Sequence, residues 1–168
     1  MSSIPPLNRY LECTWSIVTK GYTEATRPLL KSVFPPSHTI HKAPTECTYN
    51  FVIGNQAGDA DTCISTLVTA YLLTLEQHAS PETSHTVINI PVFPFSEKDL
   101  KLKPDTLILF NLGVDYFGKS GEGNYLLHIN NAFVLKVLSD EEGDFTLTLT
   151  DHNSWSPSKS LFPSSSSS

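Results

Sequence analysis

One segment constrains the fold more than any other: a short apolar stretch, a glycine-containing turn and an amphipathic helix follow one another between residues 49 and 75. Residues 49–53 end in β-forming apolar side chains, and Gly54 follows at once, as at the end of a buried parallel strand. Residues 85–90 predict a second strand, stopped by Pro91. A β-α-β unit, and therefore an α/β fold with a mostly parallel sheet, is predicted. The helix between the strands is indicated by apolar residues at three- and four-residue spacing: Ile64, Leu67, Val68, Tyr71, Leu72 and Leu75.

Further elements are predicted on both sides of this unit. Apolar residues at helical spacing predict a helix over residues 7–20, whereas repeated prolines between residues 23 and 48 exclude a long regular element there. Residues 103–113 leave two alternatives open. The run of β-forming residues favours a strand, while Asp105 and Gly113 frame a short helix. Strands are also predicted at 125–129 and 145–150, with a helical turn at 133–138.

Composition and charge narrow the class of protein. A chain of 168 residues has room for one compact domain. Its 17 acidic and 11 basic residues give a net charge of -6, which argues against broad binding to nucleic acid or to anionic membranes. No apolar stretch approaches the roughly 20 residues of a membrane span, and the first residues do not resemble a signal peptide, so a soluble, cytoplasmic protein is expected. Three cysteines without C-x-x-C spacing predict buried thiols rather than disulfides or a thiolate zinc site.

Acidic side chains follow two of the predicted strands at their carboxyl ends. Asp59 and Asp61 lie in the turn after the first strand, and Asp151 follows the strand at 145–150. Ligands of open α/β sheets bind at the carboxyl ends of strands, so folding can bring these carboxylates together. Carboxylates this close repel one another unless a cation neutralises them, and hard oxygen ligands suit Mg²⁺ or Mn²⁺. Taken singly, the same residues also fit a helix cap, a first helical turn and a loop turn.

The string FVIGNQAGDADT over residues 51–62 resembles the first motif of the DHH phosphoesterase superfamily, specifically its prune-type exopolyphosphatase branch, which reads like G-N-E-x-x-D-x-D-S. The resemblance continues through INIP at 88–91 and KDLKLKPD at 98–105, similar to the family's I-x-I-P and D-L-x-L-R-x-D. It ends at LTLTDHN over 147–153, similar to L-V-D-H-N/H. The motifs occur in the family's order over residues 8–153, and the resemblance implies a helix at 103–113.

The resemblance implies a metal-dependent hydrolase of the exopolyphosphatase or pyrophosphatase type. By this resemblance Asp59 and Asp61 match the paired metal aspartates and Asp151 matches the aspartate that bridges the metals, with Asp61 and Asp151 as the catalytic carboxylates. Asn55 takes the place where related pyrophosphatases hold a histidine ligand, and His152 follows the family's pattern; both are expected to contact substrate or to support the ligands. Two Mn²⁺ or Mg²⁺ ions would assist attack of water on a terminal phosphorus of inorganic polyphosphate or pyrophosphate. Neither a nucleic acid nor a membrane is an expected partner.

The chain departs from the family after residue 153. The family continues with its Asp-His-His signature, a further metal aspartate and a C-terminal domain, and none of these follows here. We therefore expect a truncated chain: an incomplete doubly wound, mostly parallel sheet, the N-terminal part of a DHH-type domain, at 1–153, and a serine-rich disordered tail at 154–168. Half a metal site predicts reduced or no activity alone, and an exposed sheet edge predicts self-association. The alternative is a non-catalytic binding or regulatory module derived from this fold.

Overall fold

The computed structural model describes residues 7–20, 47–79, 86–113, 126–139 and 145–151. The predicted tail at 154–168 and His152 lie outside these ranges. Within them, one parallel sheet confirms the predicted α/β class. Its strand order is β3-β2-β1-β4, where β1 is Cys47–Ile53, β2 is Thr86–Phe93, β3 is Leu127–His128 and β4 is Phe145–Leu149.

Helices cover both faces of this sheet. On one face, Thr74 of helix α2 (Ala60–Ala79) accepts a hydrogen bond from Asn89 Nδ2 at 3.2 Å. On the other face, the ring of Phe133 in helix α4 (Ala132–Ser139) lies 5.3 Å from that of Tyr49 and 6.4 Å from that of Phe51. No helix in the described ranges is long and apolar enough to cross a membrane. The helices are α1 at Leu7–Lys20, α2 at Ala60–Ala79, α3 at Pro104–Gly113 and α4 at Ala132–Ser139, with a 3₁₀-helix at Glu97–Leu102.

The helix predicted over residues 7–20 and the helix predicted after the first strand are confirmed as α1 and α2, and the strand predicted at 145–150 is confirmed as β4. Residues 104–113 form α3, so the strand alternative for residues 103–113 is wrong. Pro104 occupies the first helical position, where its missing N–H costs nothing, and the N–H of Leu107 donates to the carbonyl of Lys103 at 3.0 Å.

Two predicted strand boundaries are wrong. Strand β2 does not stop at Pro91 but continues to Phe93, with Pro91 in register with Val52 of β1. Proline is tolerated here because β3 pairs with β2 only at Val92 and Phe93, so the ladder on that side begins after the proline. The strand predicted at 125–129 is reduced to β3, because the chain turns after His128 and its carbonyl accepts the N–H of Asn131 at 2.9 Å.

A buried polar network crosses the centre of the sheet. Asn50 and Asn89 are opposite each other in β1 and β2, and Asn50 Nδ2 donates to Asn89 Oδ1 at 2.8 Å. The hydroxyls of Thr146 and Thr148 in β4 donate to Asn50 Oδ1 at 3.0 and 3.1 Å. Because these partners meet in one register only, the network ties β4, β1 and β2 together in that register.

The side of α2 that faces this polar network of the sheet carries buried threonines. Thr66 and Thr74 are buried, and each hydroxyl donates to the carbonyl four residues earlier at 2.8 Å, which satisfies it within the helix. Three of the six apolar residues whose spacing predicted this helix face outward instead: Ile64, Val68 and Leu72 are 40%, 42% and 55% exposed.

Candidate metal centre

The candidate site lies where the order of the sheet reverses. From β1 the chain proceeds outward through β2 to β3 and then returns to the opposite side of β1 as β4. Ligands of open α/β sheets bind in the crevice outside the carboxyl ends of the strands at such a switch point. Asp59 and Asp61 follow β1, and Asp151 follows β4, so the fold carries all three carboxylates to this crevice.

The three carboxylates form a compact group of oxygen donors. One carboxylate oxygen from each of Asp59, Asp61 and Asp151 lies within 4.8 Å of the other two, and all three side chains are exposed. Ligands of one octahedral ion lie about 3 to 4 Å apart when metal–oxygen distances are about 2.1 Å, so small side-chain rotations suffice to close the group around an ion. Three hard anionic oxygens therefore fit a divalent cation.

Asp59 is also the residue directly before helix α2. Its carbonyl accepts the N–H of Cys63 at 3.0 Å. The pKa of the Asp59 carboxyl is lowered, chiefly by the Thr62 side chain, with burial opposing the shift and with further lowering by Asp61 and by the backbone N–H groups of Asp59 and Thr62. Among the described residues that lower this pKa, none is a lysine or an arginine. Asp59 therefore fits both interpretations, as a helix cap and as a metal ligand, because its carboxylate is kept ionised at the N-terminus of α2.

The carboxylate of Asp151 is held by two side chains from the β1–α2 segment. Asn55 Nδ2 donates to Asp151 Oδ2 at 2.5 Å and to its backbone carbonyl at 3.0 Å, and the Thr62 hydroxyl donates to the same Oδ2 at 2.5 Å. Asp151 has a φ of 57°, a left-handed conformation that aspartate tolerates better than most residues. Asp151 is therefore held against the β1–α2 segment by hydrogen bonds from two neutral side chains.

The turn between Asn55 and Asp59 is fixed from the β2 side. Gly58 has a φ of 55°, and a Cβ atom there would lie 2.5 Å from the ring of Phe95. Lys103 Nζ donates to the carbonyl of Ala57 at 2.5 Å and lies 5.1 Å from the centroid of the Phe95 ring. The segment between β2 and α3 thus packs directly on the turn that ends at Asp59, whereas Asp61 lies in the first turn of α2.

Two other titratable groups near this edge are buried. Burial is the main reason that the pKa of the Cys63 thiol rises to about 12, and Cys63 Sγ donates to the carbonyl of Gly58 at 3.6 Å. His128 at the end of β3 is 4% exposed, and its Nδ1 lies 3.0 Å from the carbonyl of Phe95. Its Nε2 has no partner among the described residues, and burial lowers its pKa. Cys63 is therefore a neutral thiol, and His128 is a neutral imidazole near neutral pH.

The structure brings Asp59, Asp61 and Asp151 together and places Asn55 against Asp151; their functional roles stay predictions, and His152 lies outside the described residues. The sequence interpretation missed Thr62. The resembled motif has a serine directly after its second aspartate, and Thr62 directly follows Asp61 in this sequence. The motif therefore indicates a hydroxyl at position 62. It also missed the packing of Lys103 and Phe95 on the turn.

Comparison with known proteins finds similarity to a protein of Schizosaccharomyces pombe described as "Putative exopolyphosphatase". The two are 31% identical over 91 residues, which cover 54% of this chain and 21% of that protein. The chain thus spans about a fifth of the length of this curated relative. No family model matches the chain. No solved structure matches it either. A phosphoesterase-like relationship is what the similarity supports.

Proposed function

We propose that the three carboxylates are the protein ligands of a divalent-metal site that hydrolyses phosphoanhydride bonds, with inorganic polyphosphate or pyrophosphate as substrate. The observation that carries this proposal is the convergence of Asp59, Asp61 and Asp151 within 4.8 Å at the switch point of the sheet. The similarity to an exopolyphosphatase-named protein supports the same class of reaction.

The proposed roles of the site residues are metal binding, catalysis and the orientation of a ligand. Asp59, Asp61 and Asp151 bind the ions, which we expect to be Mn²⁺ or Mg²⁺, two in a complete site, and Asp61 and Asp151 are the catalytic carboxylates. When bound, such ions lower the pKa of water and offset charge on phosphate oxygens. Three carboxylates fill about half of an octahedral shell, which leaves positions for water and phosphate. Asn55 orients Asp151 through its amide.

The charge of the chain is compatible with an anionic substrate. The net charge is -6, and Lys103, the cation packed on the turn, directs its Nζ to the carbonyl of Ala57. Bound cations are often the largest local charges in a phosphate site, so they can supply the positive charge that the phosphates require. The proposal therefore predicts that phosphate release depends on added metal.

The test is phosphate release from short-chain polyphosphate and from pyrophosphate by the full chain in Mn²⁺. Asp151→Asn keeps the side-chain shape and tolerates the left-handed φ, but weakens the metal ligand. We expect it to lower the rate about 100-fold or more, since a metal ion contributes several kcal/mol to such reactions. Asp105→Asn is the matched control, because Asp105 is an exposed aspartate in the first turn of α3 outside the carboxylate group.

Measurable phosphate release at equal rates by wild type and Asp151→Asn would contradict the proposal, as would release that survives a chelator. The ratio of the polyphosphate and pyrophosphate rates assigns the substrate. A chain that binds Mn²⁺ but releases no phosphate from either substrate would favour the alternative described next.

The alternative function is a non-catalytic binding or regulatory module, which one surface favours. Ile64, Val68 and Leu72 follow one another at four-residue spacing along α2 and are all exposed. An exposed apolar line of this kind is typical of an interaction surface, and β4 is an edge strand of the described sheet. If the line mediates self-association, Val68→Glu lowers the concentration dependence of the sedimentation coefficient while leaving Mn²⁺ binding intact.

A cytoplasmic location is part of the proposal. Cys13, Cys47 and Cys63 are free cysteines, and two of them are buried. Free thiols fit a reducing compartment, where disulfides are rare. Fluorescence microscopy of the tagged chain tests this, and a signal confined to a secretory compartment would contradict it.

A further inference from the structure

We infer that Thr62 is a positioning residue that turns the carboxylate of Asp151 so that Oδ1, rather than Oδ2, faces the metal ion. The inference rests on the proposed function and adds to it a residue and an atom. Thr62 is fully buried and lies one position after Asp61, so it is placed to act on the ligands without being one.

The hydrogen bonds of Asp151 assign its two oxygens different roles. Oδ2 accepts the hydroxyl of Thr62 and the amide of Asn55, each at 2.5 Å. A carboxylate oxygen has about two lone-pair sites, so these two donors occupy Oδ2. Among the described residues no donor is assigned to Oδ1, which is therefore the oxygen left for a cation. A single contact through Oδ1 is expected instead of chelation by both oxygens.

The hydroxyl of Thr62 is directed by packing on its other branch. A Cβ atom at Gly54 would lie 2.2 Å from Thr62 Cγ2, so the methyl group fills the space above this glycine. A β-branched side chain has few χ1 choices, and a methyl group fixed on Gly54 leaves the hydroxyl facing two carboxylates: that of Asp151, which accepts its proton, and that of Asp59, whose pKa the same side chain lowers. Gly54 directly follows β1 and Thr62 lies in the first turn of α2, so two rigid elements set this direction.

A second threonine one turn later holds the backbone before Asp151. The Thr66 hydroxyl donates to the carbonyl of Thr62 at 2.8 Å, and its oxygen lies 3.2 Å from Thr150 Oγ1. The N–H of Thr150 in turn donates to the carbonyl of Ile53 at 3.0 Å. The approach of the chain to Asp151 is thus tied to both β1 and α2, which leaves the carboxylate direction to Thr62 and Asn55.

The test measures Mn²⁺ affinity of the full chain from the EPR signal of free Mn²⁺ for wild type, Thr62→Val and Thr62→Ser. Valine keeps the methyl against Gly54 and loses the donor, whereas serine keeps the donor and loses the methyl. Groups that orient metal ligands typically change affinity 10- to 100-fold, so we expect Thr62→Val to raise the Kd for Mn²⁺ about tenfold. Thr62→Ser should stay within about threefold of wild type.

The melting temperature without metal distinguishes positioning from packing. A packing role predicts that Thr62→Ser, which deletes a buried methyl group, is the more damaging variant in both stability and Mn²⁺ affinity. Positioning predicts that Thr62→Ser is less stable but loses little affinity, because it keeps the donor although the methyl group no longer fixes its direction, while Thr62→Val loses about tenfold. Thr69→Val is the control, because Thr69 is a half-buried threonine two turns along the same helix and should bind Mn²⁺ like wild type.

The measured Mn²⁺ affinities distinguish a failure of this inference from a failure of the proposed function. Wild type without measurable Mn²⁺ binding contradicts the proposed function, and the inference with it. Wild type that binds Mn²⁺ while Thr62→Val binds it equally well contradicts the inference alone. Equal losses in Thr62→Val and Thr62→Ser contradict it too, because the donor would then not be the relevant group.

Discussion

At Gly54, an added Cβ atom would meet Thr62 Cγ2 at 2.2 Å and Thr66 Oγ1 at 2.7 Å. Helix α2 can therefore begin this close to the end of β1 only because residue 54 has no side chain. The same closeness brings the Thr62 hydroxyl within reach of Asp151. A residue that carries no chemistry of its own thus sets the distance between the first two carboxylates and the third.

Gly54→Ala should lower the free energy of unfolding by about 1–3 kcal/mol, since overpacking a rigid interior forces neighbours to shift. Urea denaturation measures the change. Ala57→Ser is the control, because Ala57 is an exposed residue in the same turn and surface changes stay within about 0.5 kcal/mol. A Gly54→Ala protein as stable as wild type would show that α2 can move away from β1 at little cost.

His128 should make the protein less stable as the solution becomes mildly acidic. Burial is the main cause of its lowered pKa, opposed by the carbonyl of Phe95 and by the charges of Glu97 and Asp99. The unfolded chain therefore takes up the proton first: the stabilisation is complete above a pH of about 6.5, the ordinary value, and is lost as the pH falls through the lower folded pKa.

Substitution of His128 tests this sign. His128→Phe keeps an aromatic ring near Phe93 and Phe95, whose centroids lie 5.8 and 5.5 Å from the imidazole, but cannot take up a proton. Urea denaturation from pH 7 to 5 should show a smaller loss of stability for the variant than for wild type, whatever the stability of each at pH 7. Parallel pH profiles would show that His128 does not titrate differently on unfolding.

Among the elements, those with a strong local pattern could be predicted from sequence. Helix α1, helix α2 and strand β4 carry clear periodicity, and Asp151 follows β4 as expected. The extension of β2 through Pro91 depends on where its neighbour β3 begins, which is a tertiary fact that local propensity does not contain. The same holds for α3, whose β-forming residues are overridden by a proline at its first position.

The periodicity of the sequence also did not predict which residues of α2 are buried. Apolar spacing predicts that Ile64, Val68 and Leu72 are buried, yet they are exposed, while Thr66 and Thr74 are buried. Threonines can be buried here because their hydroxyls bond within the helix and because Asn89 contributes an amide to Thr74. A polar strip inside the sheet cannot be recognised until the pairing of Asn50 with Asn89 is known.

The pairing of strands β1 and β2 should depend on this asparagine pair. Asn89→Leu removes the acceptor of Asn50 Nδ2 and leaves a buried donor without a partner, which should cost about 1–3 kcal/mol in the free energy of unfolding. The double variant Asn50→Leu/Asn89→Leu removes both groups, so it should be less destabilised than the sum of the two single variants.

Urea denaturation of the four proteins gives this coupling energy. A control cycle pairs Asn89→Leu with Thr69→Val, whose side chain has no hydrogen bond to Asn89, and should show additive effects within about 0.5 kcal/mol. Additivity in the asparagine cycle would contradict the coupling, because it would mean that the two amides stabilise the sheet independently.

For the whole molecule, metal binding and folding should be linked. Carboxylates from both sides of the switch point meet only in the folded chain, so an ion that binds them stabilises the native state. At a free Mn²⁺ concentration 100 times the Kd, the gain is about 2.7 kcal/mol, or a rise in melting temperature of about 5–10 °C for a domain of this size.

Asp61→Asn should abolish most of that rise, whereas Glu76→Gln, which changes an exposed carboxylate elsewhere on α2, should retain it. Differential scanning fluorimetry with Mn²⁺ and with excess chelator measures the difference. An equal rise in both variants would place the stabilising ion away from the three carboxylates.

The location of a bound ion distinguishes a site at Asp59, Asp61 and Asp151 from metal binding elsewhere on the chain. NMR spectra of the isotope-labelled full chain, recorded with substoichiometric Mn²⁺, report where the paramagnetic ion binds because amide signals near it broaden. An ion bound by the three carboxylates should selectively broaden the signals of residues 55–62 and 150–151, while those of Cys47 and Thr86 at the opposite end of the sheet remain sharp. Broadening centred elsewhere, or none at all, would contradict a metal site at Asp59, Asp61 and Asp151.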